Sequence, residues 1–146
     1  MESSDRESFV AIEHRISKDK LAKYKGTARV SFAHLEFPHP FRQVDRKIIE
    51  QLKRDFEGEG CIKEKLTNRI PAIIHDPILQ AGLEKLAIST EEFKVGSKED
   101  PPQLHLGRDT MLECLHGQHR ILAAKEFLVP SQRWWVVDLY STGQYA

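Results

Sequence analysis

The residues best placed to do chemistry are Gly117, Gln118, His119 and Arg120, with His116 immediately before them. Arg offers a planar fork matched to phosphate oxygens, and His donates from both ring nitrogens when charged. Upstream, Met111, Leu112, Cys114 and Leu115 form an apolar run broken only by Glu113, short enough for a buried strand. Downstream, Ile121, Leu122, Lys125 and Leu128, together with Ala123 and Ala124, read as a helix with an apolar face. Strand, glycine, helix is a layout that aims backbone N–H groups and the positive end of the helix dipole at whatever precedes the helix, which favours phosphate. A basic first turn works against that dipole and is slightly costly unless an anion sits beside it. His119 and Arg120 also fit ordinary surface residues with carboxylate neighbours, and the local pattern leaves both accounts open.

Other chemistry is less well supported. His105, Cys114, His116 and His119 are metal-ligating types, but no C-x-x-C or H-E-x-x-H spacing joins them, so no metal site is expected. Glu57, Glu59 and Glu64 flank glycines on a polar stretch that reads as solvated. Glu36 and Glu113 are the better candidates for a general base, because each falls near the end of a strand beside the turn. Neither a Ser-His-Asp pattern nor a Walker-type loop is present.

The chain has 146 residues, enough to bury a core without disulfides or metals. Hydrophobic residues make up 40% and charged residues 30%, the balance of a soluble globular protein. Lys plus Arg and Asp plus Glu number 22 each, so no basic excess marks a non-specific nucleic-acid binder. Two cysteines, Cys61 and Cys114, make no disulfide framework. No apolar run reaches membrane-spanning length, and the polar start M-E-S-S-D-R-E-S is neither a secretory signal nor an Arg-rich transit peptide. An intracellular location, cytoplasmic or nuclear, with no membrane partner, is the expectation.

The elements that must position the turn follow in order. Residues 1–26 read as an N-terminal arm, with a weak helical pattern over Phe9–Tyr24. Thr27 to Leu35 alternates as a strand and is stopped by Phe37-Pro38-His39-Pro40. Asp45 can cap a helix to about Phe56, with Ile48, Ile49, Leu52 and Phe56 inward and Gly58 and Gly60 at its end. Arg69 to His75 is a short buried strand, Ile78 to Leu86 a second helix, and Glu91 to Gly107 a polar loop, the whole of 76–110 forming an insertion before the strand that carries Glu113. Arg133 to Tyr140 is a last strand with apolar residues on both faces, as a central strand requires. The fold class expected is α/β, of the α+β kind: a small mixed sheet with helices packed on it.

The segment C-L-H-G-Q-H-R-I-L-A-A-K-E-F resembles the signature of the ParB/sulfiredoxin superfamily, where ParB proteins carry G-E-R-R and sulfiredoxins G-C-H-R at the place of Gly117-Gln118-His119-Arg120. More narrowly the chain resembles a fungal family of unknown function carrying a ParB-like domain. The superfamily likeness covers about residues 27 to 140, within a domain placed at 27–146. It implies a nucleotide-binding domain with phosphates on Gly117–Arg120 and His116, for CTP or ATP, with Mg²⁺-dependent hydrolysis or phosphoryl transfer as an extension. It also implies a second phosphate ligand at Arg42, which follows His39-Pro40 as an Arg follows an N-P pair in ParB-like proteins, with Asp45 as a cap or a carboxylate on the metal side. Gln118 stands where sulfiredoxins place their nucleophilic Cys, which argues against sulfinic acid reduction. Two alternatives stay open: a DNA-associated module contacting backbone phosphates, and a catalytically silent domain for a protein partner. The helical DNA-binding module of ParB is not seen after Tyr140, leaving a minimal domain or the front of a longer chain.

Overall fold

The computed structural model describes residues 23–38, 43–63, 65 and 68–141. Its elements in order are β1 (Lys23–Ser31), a 3-10 turn at Phe32–His34, β2 (Leu35–Glu36), α1 (Arg46–Glu59), β3 (Ile70–Ile73), α2 (Asp76–Leu86), α3 (Thr90–Gly96), β4 (Leu112–Cys114), α4 (Gln118–Phe127) and β5 (Trp134–Ser141). The five strands make one mixed sheet in the order β1-β5-β3-β4-β2. β1 is antiparallel to β5, β5 parallel to β3, β3 antiparallel to β4, and β4 parallel to β2. The class is α+β, as expected. No helix among the described residues is long and apolar enough to cross a membrane.

Period-two alternation selects the buried face. Ala28 and Val30 of β1, Ile70 and Ala72 of β3, Leu112 and Cys114 of β4, and Trp135, Val137 and Leu139 of β5 point to one side. There they meet Ile49 and Phe56 of α1, Leu79 and Leu83 of α2, Phe93 of α3, and Ile121, Ala123 and Ala124 of α4 in a single core cluster. β5 lies inside the sheet, and Val136 on its opposite face is also buried, in agreement with its apolar sequence on both sides. That second face is roofed by cations: Arg29 and Lys63 both lie over the Trp134 ring, at 5.0 and 3.8 Å from its centroid.

Three expectations are corrected. The strand expected over Thr27–Leu35 starts earlier, at Lys23, so Lys23–Gly26 belongs to the sheet rather than to an arm. It also breaks at Ser31, whose hydroxyl accepts the Ala33 N–H, and Leu35–Glu36 continues on the opposite edge of the sheet. Alternation persists through the break, so pattern alone does not separate one strand from two. Second, Gly58 lies within α1, and only Gly60, at φ 89°, ends it. Third, the polar loop expected over Glu91–Gly107 opens with α3. Ser89 and Glu92 form a reciprocal capping box there, and Phe93 is buried. The helical pattern expected over Phe9–Tyr24 lies outside the described residues, apart from Lys23 and Tyr24, which open β1.

The insertion has a structural task. Beyond Leu86 it runs along the outer edge of β1. Thr27 N–H donates to Ser97 Oγ at 2.8 Å, Arg29 N–H to Pro102 O at 2.8 Å, and Leu104 N–H to Arg29 O at 3.0 Å. An edge that would otherwise offer unpaired N–H and C=O groups is thereby closed. Phe93 seats over Gly26, where a Cβ would fall 2.4 Å from the ring.

Candidate functional site

The turn is built by β4 and α4. Leu115 N–H donates to Pro71 O at 2.9 Å, which ties the exit of β4 to β3. Gly117 then takes φ 95°, ψ 15°, in the left-handed region, and a Cβ there would lie 2.9 Å from both Cδ1 and Cγ1 of Ile70. Backbone conformation and close approach thus each demand glycine. The first intrahelical bond runs from Ile121 N–H to Gly117 O at 3.0 Å, so the N–H groups of Gln118, His119 and Arg120 stand ahead of the ladder. No side-chain cap closes this end and its first turn holds no acidic residue, whereas α1 is capped by Asp45 and α3 by Ser89. Gln118 and His116 are half-buried beside it.

The basic pair is divided between two partners. His119 Nε2 accepts the Asp45 backbone N–H at 2.9 Å, which brings the start of α1 to the start of α4. The Asp45 carboxylate itself caps Lys47 N–H at 2.9 Å, so Asp45 is an N-cap here. Arg120 Nη1 donates to Asn68 O at 3.2 Å, and the same carbonyl receives the Trp135 indole N–H at 2.8 Å. Arg120, Asn68 and Trp135 border a depression of about 180 Å³, with Asp55, Phe56 and Glu59 of α1 on its far wall. From Asp45 to Asp55 is ten helical residues, ~15 Å, so the two side chains are engaged towards opposite ends of α1. Arg42 lies outside the described residues.

Glu36 and Glu113 come together, but elsewhere. They are direct neighbours in the β2–β4 register, and Glu113 is also opposite Ile73 of β3. Ile73 is three residues along β3 from Ile70, the contact of Gly117, which places the carboxylates ~10 Å along the sheet from the turn. They do not border the depression. Cys114 follows Glu113 in β4 and is buried in the core. Burial, chiefly, pushes its thiol up to about 12, and the Glu36 and Glu113 charges add to the rise against the opposing Glu36 backbone hydrogen bond. Cys114 therefore stays protonated. The half-buried Cys61 thiol is also raised, by burial, with Lys63 and Arg120 pulling the other way. Among the described residues no three His, Cys, Asp or Glu side chains gather as metal ligands.

Two residues beside the turn have no signature in the sequence. Asn68 acts through its backbone carbonyl, which any residue type supplies. Trp135 is legible as a core residue from the alternation in β5, but its indole N–H reaches Asn68 only through the pairing of β5 with β3.

The fold and site define a small α+β domain whose uncapped, glycine-opened helix N-terminus is flanked by a basic pair. Residues 23–145 match the family described as protein of unknown function (DUF3723), N-terminal domain, and the chain belongs to that family. Neither a curated protein nor a solved structure matches it.

Proposed function

We propose that the Gly117–Arg120 turn binds the phosphates of a nucleoside triphosphate, CTP or ATP. The observation that carries this is the start of α4: a helix N-terminus opened by an obligate left-handed glycine, without a side-chain cap and with His and Arg in its first turn. Such an end is a ready anion site. The bond from Asp45 N–H to His119 Nε2 brings the start of α1 to the same place. The resemblance of Gly117-Gln118-His119-Arg120 to the ParB and sulfiredoxin turns supports the same ligand class. Arg120 shares the Asn68 carbonyl with the Trp135 indole N–H, so that carbonyl keeps a donor when Arg120 turns to a phosphate oxygen. Mg²⁺-dependent hydrolysis or phosphoryl transfer is the extension of this reading. Arg and His beside a helix N-terminus stabilise charge developing on a transferred phosphoryl group. Binding comes first, since Glu36 and Glu113 stand off the turn.

The test is thermal stabilisation by CTP, ATP, GTP and pyrophosphate, with and without Mg²⁺, on the native chain, Arg120→Ala and Gln118→Glu. A ligand at about a hundred times its Kd stabilises by about 2.7 kcal/mol, roughly 5–10 °C for a chain of this size. Gln118→Glu places a carboxylate at the N–H groups, which favours the free helix but opposes phosphate. Both variants should lose the shift. No shift with any nucleotide, or a shift that survives both changes, refutes the reading.

A further inference from the structure

We infer that His119 is a proton-operated latch between the start of α4 and the start of α1. The inference goes beyond nucleotide binding and stands whether or not the turn takes a ligand. A backbone N–H can only donate. With Asp45 N 2.9 Å from His119 Nε2, that ring nitrogen presents its lone pair, so the latched imidazole is neutral and carries its proton on Nδ1. A second proton must enter at Nε2. Two donors then face each other and the bond is lost.

His34 provides the contrast within the same molecule. Its Nδ1 lies 2.9 Å from the Thr110 carbonyl oxygen, which only accepts, so the ring donates there in the neutral and charged forms alike. One histidine contact is broken by acid and the other is indifferent to it.

Among the described residues, the charged side chains at the start of α1 either can only donate or are already engaged. From α1, Arg46, Lys47 and Lys53 are donors only, and the Asp45 carboxylate already caps Lys47 N–H. Glu50 and Glu126 hold Arg46, and Lys53 also reaches Glu126. On the turn and the first turn of α4, His116 and Arg120 are the described titratable or charged residues nearest His119 in sequence, and each has partners of its own. Acidification breaks this one tie between the start of α1 and the turn, while the Arg46–Glu126 ion pair still joins α1 to α4. At the same moment the ring becomes a second donor beside the N–H groups of α4. Below the transition the Asp45–His119 bond is open, and above it the bond is closed.

The test is a ¹⁵N–¹H NMR titration of the full chain from about pH 8 to pH 5, the range in which imidazoles change charge. At the alkaline end His119 should show the Nδ1–H tautomer. As its ring titrates, the Asp45 amide should lose its hydrogen-bonded shift, and its exchange protection should fall about tenfold, the equivalent of one ordinary hydrogen bond. The His34 contact should persist throughout. His119→Gln supplies an acceptor that does not titrate, so Asp45 should stay bonded across the range. An Nε2–H tautomer for neutral His119, an Asp45 amide indifferent to the titration of that ring, or an Asp45 amide that still titrates in His119→Gln overturns the latch.

Discussion

Replacing Gly117 by Ala tests the geometry of the turn most directly, because two independent costs fall on one methyl group. The backbone sits at φ 95°, ψ 15°, and a side chain in the left-handed region costs about 1–2 kcal/mol. The new Cβ would also lie 2.9 Å from Cδ1 and Cγ1 of Ile70, a fully buried side chain with little room to retreat. Overpacking of this kind costs about 1–3 kcal/mol. Together they predict a loss of about 2–5 kcal/mol in urea unfolding with an unchanged m value, or roughly 6–15 °C in Tm. Two further variants separate the parts. Gly117→Asn tolerates the left-handed backbone better than Ala but brings the same Cβ, so it should recover about 1 kcal/mol. Ile70→Val removes Cδ1 at a cost of about 0.5–1.5 kcal/mol. Combined with Gly117→Ala it should be less harmful than the sum of the two changes, with a coupling of about 1 kcal/mol. A loss below about 1 kcal/mol for Gly117→Ala, strict additivity with Ile70→Val, and no advantage of Asn over Ala would together refute both halves of the reasoning.

Two other predictions concern the core. The Cys114 thiol is raised from near 9 to about 12, so between those values the unfolded chain has lost a proton that the native chain keeps. Stability should therefore fall as pH rises through this window, by up to about 1.4 kcal/mol per pH unit from this group. Cys114→Ala should be less stable at neutral pH yet show a flatter alkaline limb, and parallel limbs for the two proteins would count against the assignment. Phe93→Ala should cost about 3–5 kcal/mol in urea unfolding, because the ring is buried over Gly26 and anchors the segment that closes the β1 edge. A cost below about 1 kcal/mol would mean that the insertion is an appendage rather than part of the core.

Much of this was legible from local chemistry. Asp45 reads as a cap because a carboxylate two residues ahead of a free N–H needs nothing distant to act, and it caps Lys47 as expected. Gly117 reads as a turn between two periodicities, and β5 as an inner strand from apolar residues on both faces. The capping box of α3 was equally local, Ser89 followed by Glu92, but the polar composition around it pointed to a loop. Only the burial of Phe93 against Gly26 shows why a seven-residue helix persists there.

The sequence by itself determined α1, the start of α4 at Gly117 and the inner strand β5, since capping, glycine freedom and hydrophobic period all act within a few residues. The order of the strands, the break that sends Leu35–Glu36 to the far edge, and the pairing of Glu36 with Glu113 were decided by tertiary structure. So were the partners of the basic pair. His119 meets a backbone N–H 74 residues away and Arg120 a carbonyl 52 residues away. Backbone donors and acceptors are the same at nearly every position, so no side-chain pattern marks which of them a folded chain will bring to a given histidine or arginine.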